Sequence, residues 1–209
     1  MRQTSTPLTE RSLLVAAQAL AGRVPHFGRV LRKHGVPPLW AREPGFATLI
    51  HIILEQQVSL ASANAAFNKL RGALGEVTPA AFLTLDDAQL KALGFSRQKT
   101  RYGRELANAV LAGTLDLDAL PALSDDDVRL QMTAVKGIGQ WTTDIYLLMA
   151  LRRRDVFPKG DLALLIAAQR LFELPFRPAP LALEAMAEMW RPHRATAARI
   201  LWHFYLSER

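Results

Sequence analysis

The spacing of apolar residues along the chain predicts helices throughout. Apolar positions recur every three and four residues, and no segment keeps the alternation of apolar and polar positions that a half-buried strand requires. Glycine, proline and N-capping residues divide this pattern into about ten helices. The sequence therefore predicts an all-α protein.

Capping residues place several of the helix boundaries. Ser59 is expected to cap a helix that ends near Gly75, while Thr78, with proline next to it, and Ser96 are expected to cap two more. Longer helices are expected over residues 43–58, 60–75, 97–113, 124–132, 140–152, 161–172, 181–189 and 192–207. The proline-rich stretch at residues 174–181 is expected to be a rigid connector.

Composition narrows the chemistry. The 209 residues include no cysteine, which excludes disulfides, thiolate zinc sites, cysteine nucleophiles and cysteine-ligated iron–sulfur clusters. The five histidines show no spacing that suits a transition metal. The formal net charge of +7 favours a polyanionic partner such as nucleic acid, although charge alone does not separate DNA from RNA or an anionic membrane.

No apolar run is long enough to cross a bilayer. The longest, residues 145–151, has seven residues, against the ~20 that a transmembrane helix needs. Residues 13–22 have the composition of a short signal peptide, but Glu10 in the flank and Gln18 inside the run disfavour that interpretation. We expect a monomeric cytoplasmic protein with no membrane partner, associated with the nucleoid if it is bacterial.

Two glycines separated by one apolar residue mark a tight turn between helices. Gly137 and Gly139 allow positive φ and a close approach of the backbone, so the amides that open the next helix could face a phosphate. An ordinary helical hairpin is the alternative. Lys136 and the basic triplet at residues 152–154 favour the phosphate interpretation.

Asp161 follows Pro-Lys-Gly and precedes a long apolar run, a position typical of a helix N-cap. Capping could be its only role. A capping carboxylate is also firmly oriented, so the same position suits a catalytic anion.

Three motifs, which occur in the same order as in the family, resemble the HhH-GPD superfamily of DNA glycosylases. Within it they resemble the alkylbase glycosylases of the AlkA, 3-methyladenine-DNA glycosylase II type. They are VKGIGQWTTDIYLLMALRRRDVFPKGDLAL (135–164), ILEQQVSLASANAAF (53–67) and MWRPHRATAARILWHF (189–204). The resemblance implies a two-lobed helix-hairpin-helix fold without the N-terminal β-domain of AlkA. One lobe would combine residues 1–43 and 160–209, and a central domain, 44–159, would contain the hairpin motif at about residues 132–152.

The resemblance also implies an activity. A monofunctional glycosylase would flip an alkylated base, such as 3-methyladenine or 7-methylguanine, out of double-stranded DNA and hydrolyse its N-glycosidic bond, which initiates base excision repair. Asp161 matches the catalytic aspartate, and Gln57 matches the residue that intercalates into the DNA. Trp141 occupies the position of the Schiff-base lysine in family members that also cut the backbone, which implies water as the nucleophile.

The family pattern assigns the remaining site residues. Trp141, Ile145 and Trp190 match positions of the base pocket, with Ile145 where a tyrosine is frequent. Contacts to the DNA backbone are implied for Lys136, Gly137, Gly139, Gln140 and Thr142. The carbonyls of Thr133, Val135 and Ile138 would hold Na⁺ or K⁺, no other cofactor would be required, and Lys136 replaces the family's usual proline.

Three alternatives stay open from the sequence. A non-catalytic helix-hairpin-helix protein would bind DNA without releasing bases. A bifunctional oxidised-base glycosylase and abasic-site lyase would form a covalent adduct with DNA, for which Trp141 provides no amine. An all-helical ligand-sensing regulator would explain the composition, but not the spacing between Trp141 and Asp161.

Overall fold

The computed structural model describes residues 6–208, and within that range the chain is helical and contains no β-strand. The all-α prediction is confirmed. The helices are α1 (Glu10–Arg23), α2 (Pro25–His34), α3 (Phe46–Glu55), α4 (Leu60–Leu74), α5 (Pro79–Leu83), α6 (Asp87–Ala92), α7 (Arg97–Leu111), α8 (Asp125–Thr133), α9 (Gln140–Met149), α10 (Leu162–Leu171), α11 (Pro180–Glu188) and α12 (Arg194–Ser207), with a 3-10 turn at Leu120–Ala122.

The expected caps at the starts of α4, α5 and α7 are confirmed. The side-chain oxygens of Ser59, Thr78 and Ser96 each accept a hydrogen bond, 3.2 Å long, from the backbone N–H three residues later. Each bond satisfies one of the backbone donors that a helix start leaves without a partner.

Two helices end earlier than the apolar pattern indicates. Helix α3 stops at Glu55 instead of Val58, because Gln56 leaves the helix at ψ 121° and Gln57 takes a φ of 58°. Helix α9 stops at Met149, because Arg152 has a φ of 53° and the Arg153 N–H bonds back to the Leu147 carbonyl at 2.9 Å. A left-handed residue with such a closing bond is a common helix terminus.

The described chain forms two compact units. The hairpin unit comprises residues 42–146, and the aspartate unit comprises residues 6–41 and 147–208. The first boundary lies close to the expected residue 44, whereas the second lies at 147 and not at 160. The last residues of α9 thus belong to the aspartate unit, in which the Leu148 carbonyl accepts a 2.8 Å hydrogen bond from Arg199.

The hairpin unit is built around α3 and α7, which pack on each other and on α4, α5 and α6. Phe82 is completely buried, and its ring lies 6.0 Å from Phe46 and 5.6 Å from Phe95. A side chain at Gly103 would overlap the Phe82 ring, so α7 approaches this aromatic cluster through a glycine.

The aspartate unit is built around α12, which packs on α1, α2, α10 and α11. Small residues at 195–198 are fully buried and let the neighbouring helices approach closely. No helix among residues 6–208 is both long and apolar enough to span a membrane.

Candidate functional site

Asp161 caps α10 and is held by two donors. Its Oδ1 accepts a hydrogen bond from the Leu164 backbone N–H at 3.0 Å and another from the Trp202 indole N–H at 3.1 Å. The side chain is nearly buried, with 9% of the residue exposed. The N-cap prediction is confirmed, and the carboxylate is fixed from both the helix start and α12.

Trp202 was not among the residues that the sequence indicated. It lies on α12, is 8% exposed, and its only polar group is the indole N–H that reaches Asp161. Trp202 lies in the same sequence motif as Trp190, and nothing in that motif indicates that its indole bonds to the carboxylate. The fold therefore adds Trp202 to the candidate site.

Trp190 lies in the core of the aspartate unit. It is 2% exposed, its ring stacks on Phe172 at 6.0 Å and 20°, and it is tilted against Phe27 at 5.3 Å and Phe157 at 5.7 Å. Aromatic rings thus lie on several sides of Trp190. The structure shows a packing role for Trp190, and its expected place in the base pocket stays a prediction.

The other motif residues around Trp190 also stabilise the unit. Arg194 pairs with Asp155 at 3.0 Å and with Glu188 at 2.6 Å. In the basic triplet, Arg153 is 4% exposed and Arg154 donates to the Thr6 carbonyl at 2.8 Å. These internal contacts account for much of the positive charge that the sequence concentrates here.

The glycine turn between α8 and α9 has two different faces. Gly137 has a φ of 95°, and a Cβ at this position would overlap the Tyr102 ring, so only glycine fits. A Cβ at Gly139 would meet no protein atom within 4 Å. Gly139, Lys136 and Gln140 are exposed, so the start of α9 presents an open backbone surface.

Thr142 does not share that surface. It is 1% exposed, and its Oγ1 accepts a 2.9 Å hydrogen bond from Gln56 Nε2, which also donates to the Gly137 carbonyl at 3.1 Å. The contact expected between Thr142 and the DNA backbone stays a prediction, and these bonds leave only its main chain to make it. Its hydroxyl instead ties the hairpin to the junction between α3 and α4.

Gln57 is exposed at that junction, in a left-handed conformation that a non-glycine residue rarely adopts. The residues before it are anchored. Lys99 Nζ donates to the Leu54 carbonyl at 2.7 Å, and Arg42 pairs with the buried Glu55 carboxylate at 2.6 Å. Burial lowers the pKa of Lys99 below its ordinary value. Gln57 thus projects from a firmly held turn.

Trp141 and Ile145 lie one turn apart on α9, in different environments. Trp141, in the first turn, is half-buried, whereas Ile145 is 2% exposed and belongs to the core of the hairpin unit. Next to it, the Tyr146 hydroxyl accepts a 2.9 Å hydrogen bond from the Gly45 N–H, and burial raises its pKa. Ile145 therefore packs in this core, and its expected role in the base pocket stays a prediction.

The model of one protein family, described as HhH-GPD superfamily base excision DNA repair protein, matches residues 50–192, which is more than half of the chain. That range includes the glycine turn, Gln57 and Asp161. The chain belongs to the HhH-GPD superfamily.

Individual members of the superfamily are similar along most of the chain. YfjP of Bacillus subtilis is 29% identical over 181 residues, which cover 83% of this chain and 63% of that protein. DNA-3-methyladenine glycosylase 1 of Schizosaccharomyces pombe is 30% identical over 165 residues, which cover 77% of this chain and 72% of that protein. The chain thus spans just under two thirds of one relative and somewhat more of the other.

Solved structures agree with this membership. The S. pombe 3-methyladenine DNA glycosylase Mag1, in complex with abasic DNA, superposes with a TM-score of 0.84 at 28% identity, covering 90% of this chain and 94% of that chain. A DNA-3-methyladenine glycosidase from Bacillus halodurans superposes with a TM-score of 0.74 at 25% identity, covering 93% and 91%. The helix-hairpin-helix prediction for the fold is confirmed.

Three carbonyl oxygens of the HhH-GPD hairpin are the ligands expected for an alkali cation. Thr133 is the last residue of α8 and Ile138 precedes α9, so neither carbonyl has a helical partner by position. The Val135 carbonyl accepts the Ile138 N–H at 3.0 Å and keeps a second lone pair. Hard oxygen donors suit Na⁺ or K⁺ better than a transition metal. Residues 6–208 contain no cluster of histidine and carboxylate side chains that could hold a metal ion.

Proposed function

We propose that this HhH-GPD protein is a DNA glycosylase that removes alkylated bases from double-stranded DNA by hydrolysing the N-glycosidic bond, the first step of base excision repair. The proposal rests above all on the Asp161 carboxylate, which the Leu164 N–H and the Trp202 indole hold in one orientation. The S. pombe relative, named as a DNA-3-methyladenine glycosylase, supports the same activity for a chain of this family.

A fixed carboxylate suits this reaction because of where charge develops. As the bond between C1′ and the base nitrogen breaks, its electron pair leaves with the base and the sugar becomes an oxocarbenium-like cation. The negative charge of Asp161 stabilises that cation and can orient water, whose oxygen bonds to C1′ as a proton is lost. A 3-methylated or 7-methylated purine already carries positive charge, so it departs without strong acid assistance.

Water is the proposed nucleophile. An amine that attacks C1′ forms a covalent intermediate, whereas the indole of Trp141 is not a nucleophile of that kind. The half-buried Trp141 ring instead offers an aromatic face to an extruded base, and stacking of this type is worth about 1–3 kcal/mol per base. The enzyme is therefore proposed to be monofunctional.

Contacts to DNA are assigned to the exposed residues of the hairpin unit. The backbone at Gly139 and Gln140, with Lys136, would bind a phosphate at the start of α9. Na⁺ or K⁺ on the carbonyls of Thr133, Val135 and Ile138 would add positive charge beside that phosphate. Gln57 would enter the stack where the flipped nucleotide has left, because extrusion leaves a gap that costs a few kcal/mol.

The deciding experiment incubates the full chain, as a monomer, with duplex DNA methylated at purines and identifies the released bases. We expect release of 3-methyladenine and 7-methylguanine by the wild type. Asp161→Asn should retain DNA affinity and lose most of the excision rate, because the amide keeps the shape but not the charge.

Other outcomes of these assays would support one of the alternative functions. If no methylated base is released although DNA binds, the protein is a binding module and the enzymatic proposal fails. If borohydride traps a covalent protein–DNA adduct, the reaction uses an amine and the monofunctional assignment fails. An Asp161→Asn variant as fast as the wild type would remove the carboxylate from the mechanism.

A further inference from the structure

Trp40 has a backbone conformation that a bulky residue rarely adopts. Its φ is 48°, in the left-handed region, and the residue is half-buried. Such a conformation is strained and persists only where surrounding contacts enforce it. Trp40 lies in the connection between α2 and α3, outside every motif that the sequence indicated.

Arg199 on α12 supplies one of those contacts. The side chain is completely buried, and its guanidinium donates to the carbonyls of Leu39 at 2.8 Å, Leu148 at 2.8 Å and Ala195 at 3.0 Å. Burial lowers the pKa of Arg199 to about 9, so it is charged at neutral pH. Charged donors form the stronger hydrogen bonds. The residue before Trp40 is therefore fixed to α12.

The Trp40 ring meets the side chain that holds the carboxylate. It lies edge-to-face against Trp202, with centroids 6.4 Å apart at 75°, and against His203 at 6.5 Å. Aromatic pairs in this geometry attract each other beyond the effect of their buried area. The Trp202 N–H then reaches Asp161 at 3.1 Å. A continuous set of contacts within the aspartate unit thus connects Arg199 to the carboxylate.

We propose that Trp40 is a positioning residue for base excision, which fixes the Trp202 ring so that its indole N–H keeps Asp161 correctly oriented. The inference rests on the proposed function. Arg199 holds the Leu39 carbonyl and thereby the turn that carries Trp40. Neither residue touches the reacting atoms in this account.

The expected effect follows from the cost of misplacing a catalytic group. A displacement of about 1 Å can reduce a rate as much as 10²-fold. Trp40→Ala removes the edge that restrains Trp202, and we expect a tenfold or larger loss of the single-turnover excision rate. Affinity for duplex DNA should stay unchanged, because the proposed phosphate contacts lie in the hairpin unit.

Three substitutions separate the effect of the Trp40 ring on the excision rate from the effect of the strained backbone. Trp40→Gly relieves the left-handed conformation and also removes the ring, so we expect it to be slow despite an easier backbone. Glu173→Gly is the matched control, because Glu173 is exposed, has a φ of 55° and lies in the same unit. It should excise bases at the wild-type rate. Trp40→Phe keeps an aromatic edge and should restore most of the activity.

A double-mutant cycle tests the route of action. Trp202→Phe keeps a ring but removes the N–H, so in that background Trp40→Ala should cost little further rate. Additive losses, or a rate in Trp40→Ala equal to the wild type, would overturn the inference. A loss confined to DNA affinity would do the same. Thermal unfolding shows which variants are folded at the assay temperature, and Trp40→Gly, which also lacks the ring, serves if Trp40→Ala is not.

The two proposals fail separately. A wild type that releases no methylated base removes the proposed function, whatever the Trp40 variants do. A wild type that is active and depends on Asp161, with Trp40 variants of equal speed, removes only the positioning role.

Discussion

At the scale of single residues, a carboxylate that stabilises a transient cation has to be held still before the charge appears. The Leu164 N–H and the Trp202 indole do this for Asp161. One donor comes from the helix that the aspartate caps, and the other comes from a helix more than thirty residues away. The orientation of the carboxylate therefore depends on the packing of α10 against α12.

Replacing Trp202 with phenylalanine should slow excision about tenfold, equivalent to roughly 1.4 kcal/mol in the barrier, because one donor to Asp161 is lost. Single-turnover release of 7-methylguanine measures this. Trp190→Phe is the control, since it disturbs the aromatic core and should lower thermal stability without changing the rate at 25 °C. Equal rates for wild type and Trp202→Phe would show that the carboxylate is oriented without the indole N–H.

The sequence could indicate Asp161 because both its cap position and its motif are local. It could not separate Trp190 from Trp202, since both lie in one motif, residues 189–204, and each is a tryptophan near an arginine. Their roles are decided by partners distant in sequence, Phe27 and Phe157 for one and Asp161 for the other. Trp40 has no sequence signal, because a left-handed tryptophan is set by tertiary contacts.

At the scale of elements, the two glycines of the α8–α9 turn have different structural roles. Gly137 lets the turn pack against Tyr102, and Gly139 leaves its outer face open. Local spacing was sufficient to predict the turn. It was not sufficient to predict that Gln56 would bond to it, because that contact joins residues eighty-one positions apart.

Alanine at the two glycines should therefore have different effects. Gly137→Ala combines a strained φ with a clash against Tyr102, and should lower the free energy of unfolding by about 1–3 kcal/mol. Gly139→Ala should unfold like the wild type but bind duplex DNA more weakly, because the methyl group occupies the face proposed for a phosphate. Urea unfolding and filter binding measure the two effects. A Gly139→Ala variant with full affinity would move the DNA contact elsewhere.

At the scale of the whole molecule, the apolar pattern was sufficient to predict a helical chain, whereas the two lobes were implied by the family resemblance. The second boundary between the lobes is where the structure differs from that expectation. The resemblance placed that boundary at residue 160, after the basic triplet at residues 152–154. Instead Arg153 is buried, and its backbone N–H bonds back to the Leu147 carbonyl near the end of α9. These residues therefore belong to the aspartate unit. A run of arginines is usually exposed, and only a complete fold shows when one is not.

Both units contain a histidine that resists protonation. Burial is the largest cause of the lowered pKa of His51 in the hairpin unit and of His193 in the aspartate unit. The unfolded chain binds these protons near the ordinary pKa of 6.5, before the folded chain does. The contribution of these two histidines to the free energy of unfolding should thus be constant above that pH. As the pH falls below it, the free energy of unfolding should decrease.

Urea titrations at pH 7.5 and 5.5 measure this decrease. The variant with both His51→Gln and His193→Gln should show a smaller difference between the two pH values than the wild type. An identical pH dependence would assign the effect to other groups.

The burial of Trp190 among phenylalanine rings also affects what the intrinsic fluorescence of the protein can measure. Of the four tryptophans, Trp40, Trp190 and Trp202 lie in the aspartate unit and Trp141 alone lies in the hairpin unit. Intrinsic fluorescence is therefore weighted towards the unit that carries the carboxylate, with Trp190 as its most shielded emitter. A change in emission on heating or on adding DNA would mainly describe one half of the chain, and a tryptophan added in α7 would increase the share of the emission that comes from the other half.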